Sequence, residues 1–339
     1  MVMEKEKENR VIWLDYCRCL AICLVVLSHI ASAGVNMFEV HTFQWQFSNA
    51  IQSGVYVCVP LLVMISGVLF MEKERNIKRH TINIGIHLII WSFLYATYDN
   101  LLVLDGGGEI SIRSIVNSML EGHYHLWFLN MIIGLYLISP CLIIWKDKKE
   151  IIKYFLTLWL IFLFLGYLSN VFPIYTLIDK MQLKFVMGYT GFFVLGHYLN
   201  KFIDIELVKN KFLYSGLTIS YVITNLGTVV LSWNKGFNAT MYGYFMPNII
   251  IYSICVFLLI KKNVKVNKHL RIIQKFSEDS FGIYLIHDFF IMFLAHKNFT
   301  IYQFSAYIQI PLAFIFVVLA SWIFVRIFRK IPILNKLLI

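Results

Sequence analysis

The stretch Arg10-Val-Ile-Trp13-Leu-Asp15-Tyr-Cys-Arg18, followed by Ser28-His29, sets a permanent cation and a titratable base in an otherwise apolar run. Arg18 and His29 are eleven residues apart, which on a helix is about 20° beyond three full turns. They therefore share one stripe, about 16 Å apart along the axis. A guanidinium binds anions, and an imidazole with an ordinary pKa near 6.5 takes a proton from a hydroxyl. Asp15, three residues before Arg18, can pair with it on the same face. The plainer alternative is an Asp15–Arg18 ion pair with His29 as a packing residue.

Two more clusters carry reactive types. In Glu121-Gly-His123-Tyr124-His125-Leu-Trp127-Phe128, Tyr and Trp suit a membrane–water boundary, and His125 and Trp127 are candidate cavity-lining residues. In Ser277-Glu-Asp279-Ser280-Phe-Gly282-Ile-Tyr284-Leu-Ile-His287-Asp288, Tyr284 and His287 share a helix face. They either line a cavity and orient a base or stitch helices together. Asp99 either orients a His or solvates an edge.

His-x-His with no evident third ligand is a weak zinc signal, so no metal is expected. All six cysteines sit in apolar runs, with neither a CxxC pair nor a disulfide framework. No phosphate-cradling GxxxxGK[ST] or GxGxxG, and no GxSxG, HExxH or EF-hand pattern, occurs. Gly67 in Ile65-Ser66-Gly67 and Gly196 in Gly196-His197-Tyr198 are expected to permit close helix packing.

The elements that must position these residues follow from composition. Of 339 residues, 59% are hydrophobic and 14% charged, where soluble domains run about 45–50% and 25%. That excludes a soluble enzyme, a disordered chain and a disulfide scaffold. A spanning helix needs about 20 apolar residues. Ten segments qualify: Val11–Gly34, Gly54–Met71, Thr81–Leu104, Leu126–Trp145, Ile151–Phe172, Leu183–Ile203, Phe212–Trp233, Tyr244–Ile260, Phe281–Ala295 and Ala306–Phe328. The expected fold is an all-α polytopic membrane protein of about ten transmembrane helices. It forms one domain over 1–339: residues 1–10 an N-terminus, 11–328 the bundle, 329–339 a tail.

Basic residues orient it. Of 30 Lys and Arg, 24 fall in both termini and alternate connectors, five on the other side, and Arg18 within a span. Cytoplasmic loops retain Lys and Arg, so both termini are expected in the cytoplasm. The net charge of +11 thus reports topology rather than nucleic-acid binding. The opening run resembles a cleavable signal peptide, but Asp15 and Arg18 lead into it and nine spans follow, so it reads as the first span.

The first-span pattern resembles the opening helix of the integral-membrane acyltransferase-3 family. Three further segments agree in order: Val59-Pro60-Leu-Leu-Val-Met64-Ile-Ser66-Gly67; Tyr124-His125-Leu-Trp127-Phe128 with Tyr136-Leu-Ile-Ser139-Pro140; and Phe281-Gly282-Ile283-Tyr284-Leu-Ile-His287. Together they look most like the branch that O-acetylates surface polysaccharides, the enterobacterial common antigen O-acetyltransferase among them. The resemblance implies acyl transfer from cytoplasmic acyl-CoA, here acetyl-CoA, to a hydroxyl of a glycan or lipid-linked saccharide in the inner membrane. It maps the family's essential Arg and His onto Arg18 and His29. Arg75, Lys78 and Arg79 stand where the family often has Arg-x-x-Arg, a basic rim suited to CoA phosphates; positive-inside retention explains them equally well. The rival class is a carrier or flippase exporting a polysaccharide, although no inverted repeat is evident.

Overall fold

The computed structural model describes residues 10–72, 76–105, 107, 111–168, 180, 188–265, 270–300, 304–332 and 334–335. Among them the chain is helical, with no strand. Helices α1 Ile12–Met37, α2 Phe43–Val55, α3 Cys58–Glu72, α4 Ile77–Asp105 and α5 Ile112–Glu121 come first, then a 3-10 turn, Tyr124–Leu126. There follow α6 Trp127–Ile143, α7 Lys149–Leu168, α8 Thr190–Lys201, α9 Asn210–Ser232, α10 Pro247–Asn263, α11 Leu270–His296 and α12 Ala306–Phe328. A helix satisfies its backbone within one segment, which hydrocarbon demands.

Seven stretches are long and apolar enough to cross a membrane: Ile12–Met37, Phe43–Glu72, Ile77–Leu104, Ile112–Ile143, Asn210–Ser232, Thr240–Asn263 and Ala306–Phe328. The chain is a multi-pass membrane protein. Each of the ten expected segments meets a helix, but the fifth, sixth and ninth are not among the seven. Their composition and extent explain this. The end of the fifth segment beyond 168 and the start of the sixth before 188 lie outside the described residues; α11 carries Glu278, Asp279, His287 and Asp288.

Three boundaries differ from expectation. A separate helix, α2, precedes the second span, and the chain breaks after Val55. Pro60 explains the break, since its ring would clash with the carbonyl four residues back, at Tyr56. α11 begins at Leu270, so the polar stretch Ser277–Ser280 lies inside a helix and not ahead of one. α5 occupies what read as a loop. A reciprocal Ser111–Ser114 cap starts it, and Gly122, at φ 75°, ends it.

α1 is the hub, packed against α2, α3, α10, α11 and α12. Ser48, Asn49, Gln52 and Ser53 of α2 are buried; Gln52 Nε2 donates to the Ser28 carbonyl of α1 at 3.0 Å, whereas Asn49 and Ser53 bond to Asn225 of α9. α3 and α8 approach backbone to backbone, as the two glycines led one to expect. A Cβ on Gly67 would overlap the Phe193 carbonyl, and one on Gly196 the Met64 carbonyl. Rigid backbone cannot yield as a flexible side chain can. Gly67→Ala and Gly196→Ala should therefore each cost about 1–3 kcal/mol or more. Gly134→Ala, which meets nothing within 4 Å, should leave the melting temperature in nanodiscs unchanged or raised. Equal melting of all three variants would contradict this packing.

Candidate active site

The Asp15 end of α1 is a network of charge-assisted hydrogen bonds. Asp15 is buried, and Arg10 clamps it through Nε at 2.7 Å and Nη2 at 3.0 Å. Arg10 also reaches α11, donating to Glu278 Oε1 at 2.5 Å and to the Gln274 carbonyl at 3.0 Å. Arg18 lies 3.6 Å from Asp15 Oδ1, a loose ion pair. Its hydrogen bond goes to Ser277 Oγ at 2.8 Å, and Ser277 donates to Asp15 Oδ1 at 2.7 Å. Asp15 thus holds Arg18 through Ser277, whereas the sequence suggested a direct bond. Spacing along one helix concealed both Arg10's dominance and Ser277's bridge.

At the other end of the stripe, His29 meets His287. His29 Nδ1 lies 2.8 Å from His287 Nε2, and His287 Nδ1 lies 2.6 Å from the Tyr284 carbonyl. A carbonyl only accepts, so the network assigns the His287 proton to Nδ1. His287 Nε2 is then the acceptor and His29 Nδ1 the donor. The one remaining site, His29 Nε2, carries a free lone pair. A base needs that tautomer.

Around this pair stands a polar shell, buried at His125, Tyr284 and Asp288 and open at Tyr124 and Asp99. Tyr284 OH donates to the His125 carbonyl. His125 and His123 face each other, Nδ1 to Nδ1, at 2.9 Å. Asp288 accepts from Tyr124 OH at 2.5 Å and lies 3.4 Å from His123 Nε2. Asp99 lies 3.9 Å from the same nitrogen, too far for a hydrogen bond, and its side chain is 39% exposed. Tyr95 stacks on His123 at 4.3 Å and donates to the Leu285 carbonyl at 2.8 Å. Nothing in the sequence marked Tyr95, because its role depends on helices far apart in the chain.

Two overlapping triads, His29–His287–Asp288 and His123–His125–Asp288, bring possible ligand atoms within 4.8 Å of one another. Nitrogens bound tetrahedrally at 2.0–2.1 Å would sit roughly 3.3 Å apart. The His–His contacts at 2.8 and 2.9 Å are closer than that and have hydrogen-bond lengths.

Two cavities follow the stripe. One, of about 170 Å³, has Arg18, Ser66, Tyr136 and Ser280 in its wall. The other, of about 30 Å³, is lined by His29, His125, Trp127 and Tyr244 among others. Leu62, Phe128 and Tyr284 line both, so these three side chains form the partition. Beyond the small cavity, Trp127, Tyr189 and Tyr244 form an aromatic group with ring centroids 5.7–6.2 Å apart.

A family model described as an acyltransferase domain, that of acyltransferase-3, matches residues 11–326. The chain belongs to the acyltransferase-3 family. It is a membrane acyltransferase. No curated protein and no solved structure matches it.

The expected site residues of this acyltransferase separate into two groups. Arg18, His29, His125, Trp127 and Tyr284 line the two cavities, His287 hydrogen-bonds to His29, and Asp15 stands one step further back, tied to Arg18 through Ser277. Lys78 and Arg79 are exposed at the start of α4 and line neither cavity, although Ile84, further along α4, lines the larger. Arg75 lies outside the described residues.

Removing one partner of a buried charge leaves the other uncompensated. Arg10→Met should lower stability, and Asp15→Asn in the same chain should restore part of it. The double-mutant coupling should be about 1–3 kcal/mol, measured by thermal unfolding in nanodiscs. Additive losses would mean that Arg10 and Asp15 do not act together.

Proposed function

We propose that the chain O-acylates a cell-surface glycan or its lipid-linked precursor, taking an acetyl group from acetyl-CoA on the cytoplasmic side of the inner membrane. The observation that carries this reading is the His29–His287–Tyr284 chain, which leaves His29 Nε2 free in a small cavity next to the one that begins at Arg18. Family membership favours transfer over the carrier alternative, and the four ordered segments favour the polysaccharide-modifying branch.

His29 Nε2 accepts the proton of a sugar hydroxyl as its oxygen attacks the thioester carbonyl. The carbon–oxygen bond forms, the carbon–sulfur bond breaks, and the imidazolium returns the proton to the departing CoA thiolate. The products are the O-acyl ester and free CoA. His287 is a positioning residue that fixes the His29 tautomer. Arg18, held by Ser277, faces the anionic donor, and the fork of a guanidinium suits phosphate. Lys78 and Arg79, with Arg75 before them, supply further positive charge on the donor side. Trp127, Tyr189 and Tyr244 offer flat apolar faces with polar tips, suited to a saccharide ring on the acceptor side.

The topology that serves this chemistry has ten spans, α7, α8 and α11 joining the seven apolar stretches, with both termini cytoplasmic. The 24-to-5 division of basic residues supports it. Arg18 then lies toward the donor's compartment and His29 toward the outer surface.

Membranes of the native host, supplied with acetyl-CoA labelled in the acetyl group, should transfer label to extractable glycan. His29→Ala should abolish transfer while insertion survives. His287→Ala should lower kcat at least ~100-fold with KM for acetyl-CoA little changed, because general-base catalysis contributes about 10²–10⁴-fold. Arg18→Lys should raise KM for the donor. Full activity of His29→Ala would refute the mechanism, and glycan crossing the membrane without label transfer would favour the carrier.

A further inference from the structure

The two cavities differ in size by more than fivefold, and the smaller holds the base. On this scale a water molecule needs about 10–15 Å³. The 30 Å³ beside His29 therefore takes two or three water-sized atoms. An acetyl group has three heavy atoms, one of them the carbonyl oxygen. Butyryl adds two carbons.

We infer that the chamber beside His29 selects the acyl group by size, with Val25 of α1 and Val59 of α3 as its specificity-determining walls. This rests on the acyl-transfer reading above. A donor arm entering from the Arg18 cavity passes the Leu62–Phe128–Tyr284 partition to bring its thioester to His29. The acyl chain must then fit ahead of the sulfur, within the small chamber. Val25, Cys58 and Val59 line it at 2–6% exposure, so each is backed by the protein interior. The polar walls are equally fixed: His29 is tied to His287, and Tyr284 to the His125 carbonyl. Both valines are backed by buried core, so the chamber does not widen on that side, and two further methylenes exceed the room between them and His29. Val25 and Val59 make no polar contact and hold no proton, so trimming them changes room without changing chemistry.

The test uses native-host membranes carrying the full-length chain, with acetyl-, propionyl-, butyryl- and hexanoyl-CoA, each labelled in the acyl group. Transfer to endogenous glycan is the readout. Each methylene in a tight apolar pocket changes kcat/KM by about 10–200-fold. Acetyl should therefore be preferred over butyryl by at least ~100-fold, with hexanoyl silent. Val25→Ala, and separately Val59→Ala, should raise the butyryl-to-acetyl ratio at least ~10-fold. Because the two walls come from different helices, misfolding of one variant leaves the other to decide, and a ratio within one sample is independent of expression level. Equal use of acetyl and butyryl by the wild type would overturn the size selection while leaving acyl transfer intact. So would an unchanged ratio in the folded variants. Label from none of the four donors would instead remove the transfer reading, and the selector with it.

Discussion

The structure depends on the cost of taking polar and charged groups out of water. A buried carboxylate or guanidinium in hydrocarbon survives only when its partners are in place. α1 and α11, more than 250 residues apart in sequence, supply those partners to each other at two levels. At one, Arg10 clamps Asp15, and Ser277 carries the bond from Asp15 to Arg18. At the other, His29 donates to His287. Two polar ties about 16 Å apart along α1 leave the helix pair little freedom to slide or rotate. Neither helix could bury its polar stripe against lipid. The interaction that makes the pair soluble in the bilayer is the one that aligns the site.

That alignment has a chemical consequence at His29. A lone imidazole in an apolar cavity exchanges tautomers freely, and half of them present N–H where a base is needed. The Tyr284 carbonyl removes this ambiguity two bonds away, because it can only accept. The proton on His287 is thereby set, then the one on His29. The Asp288–Tyr124–His123 group packs beside this chain: the Tyr124 ring lies 5.3 Å from that of His29, and Tyr124 donates to Asp288. A hydrogen-bonded chain in a low-dielectric interior is stiff, and the proposed base would gain from stiffness.

How much of this could be read from the sequence depends on whether the determinant is local. Apolar run length is local, so each of the ten expected segments meets a helix. Close packing at Gly67 and Gly196 was also readable, since small residues in apolar runs have few other uses. The break after Val55 was encoded locally by Pro60 but was read through, because the apolar run continues across it. The start of α11 was misplaced for a different reason. Ser277-Glu278-Asp279-Ser280 has the composition of a loop, and becomes helical because Trp322, Arg326 and Arg329 of the chain's end come to Asp279. The reactive stripe of α1 was visible from its own periodicity. The His287 tautomer, the Ser277 bridge and the role of Tyr95 were not, since each is a contact between distant helices.

The partition between the cavities follows from the same division of labour. Leu62 lies on α3, Phe128 on α6 and Tyr284 on α11, so no single helix can open the path alone. α3 is pinned to α8 through the two glycines, and Tyr284 is pinned by its bond to the His125 carbonyl. Phe128 has an apolar ring with no hydrogen bond to break, and sits one residue from Trp127 at the aromatic mouth. Leu62 is apolar too, so of the three partition side chains only Tyr284 is tied by a hydrogen bond. A polar contact fixes one side of the partition, and apolar shape alone forms the other two.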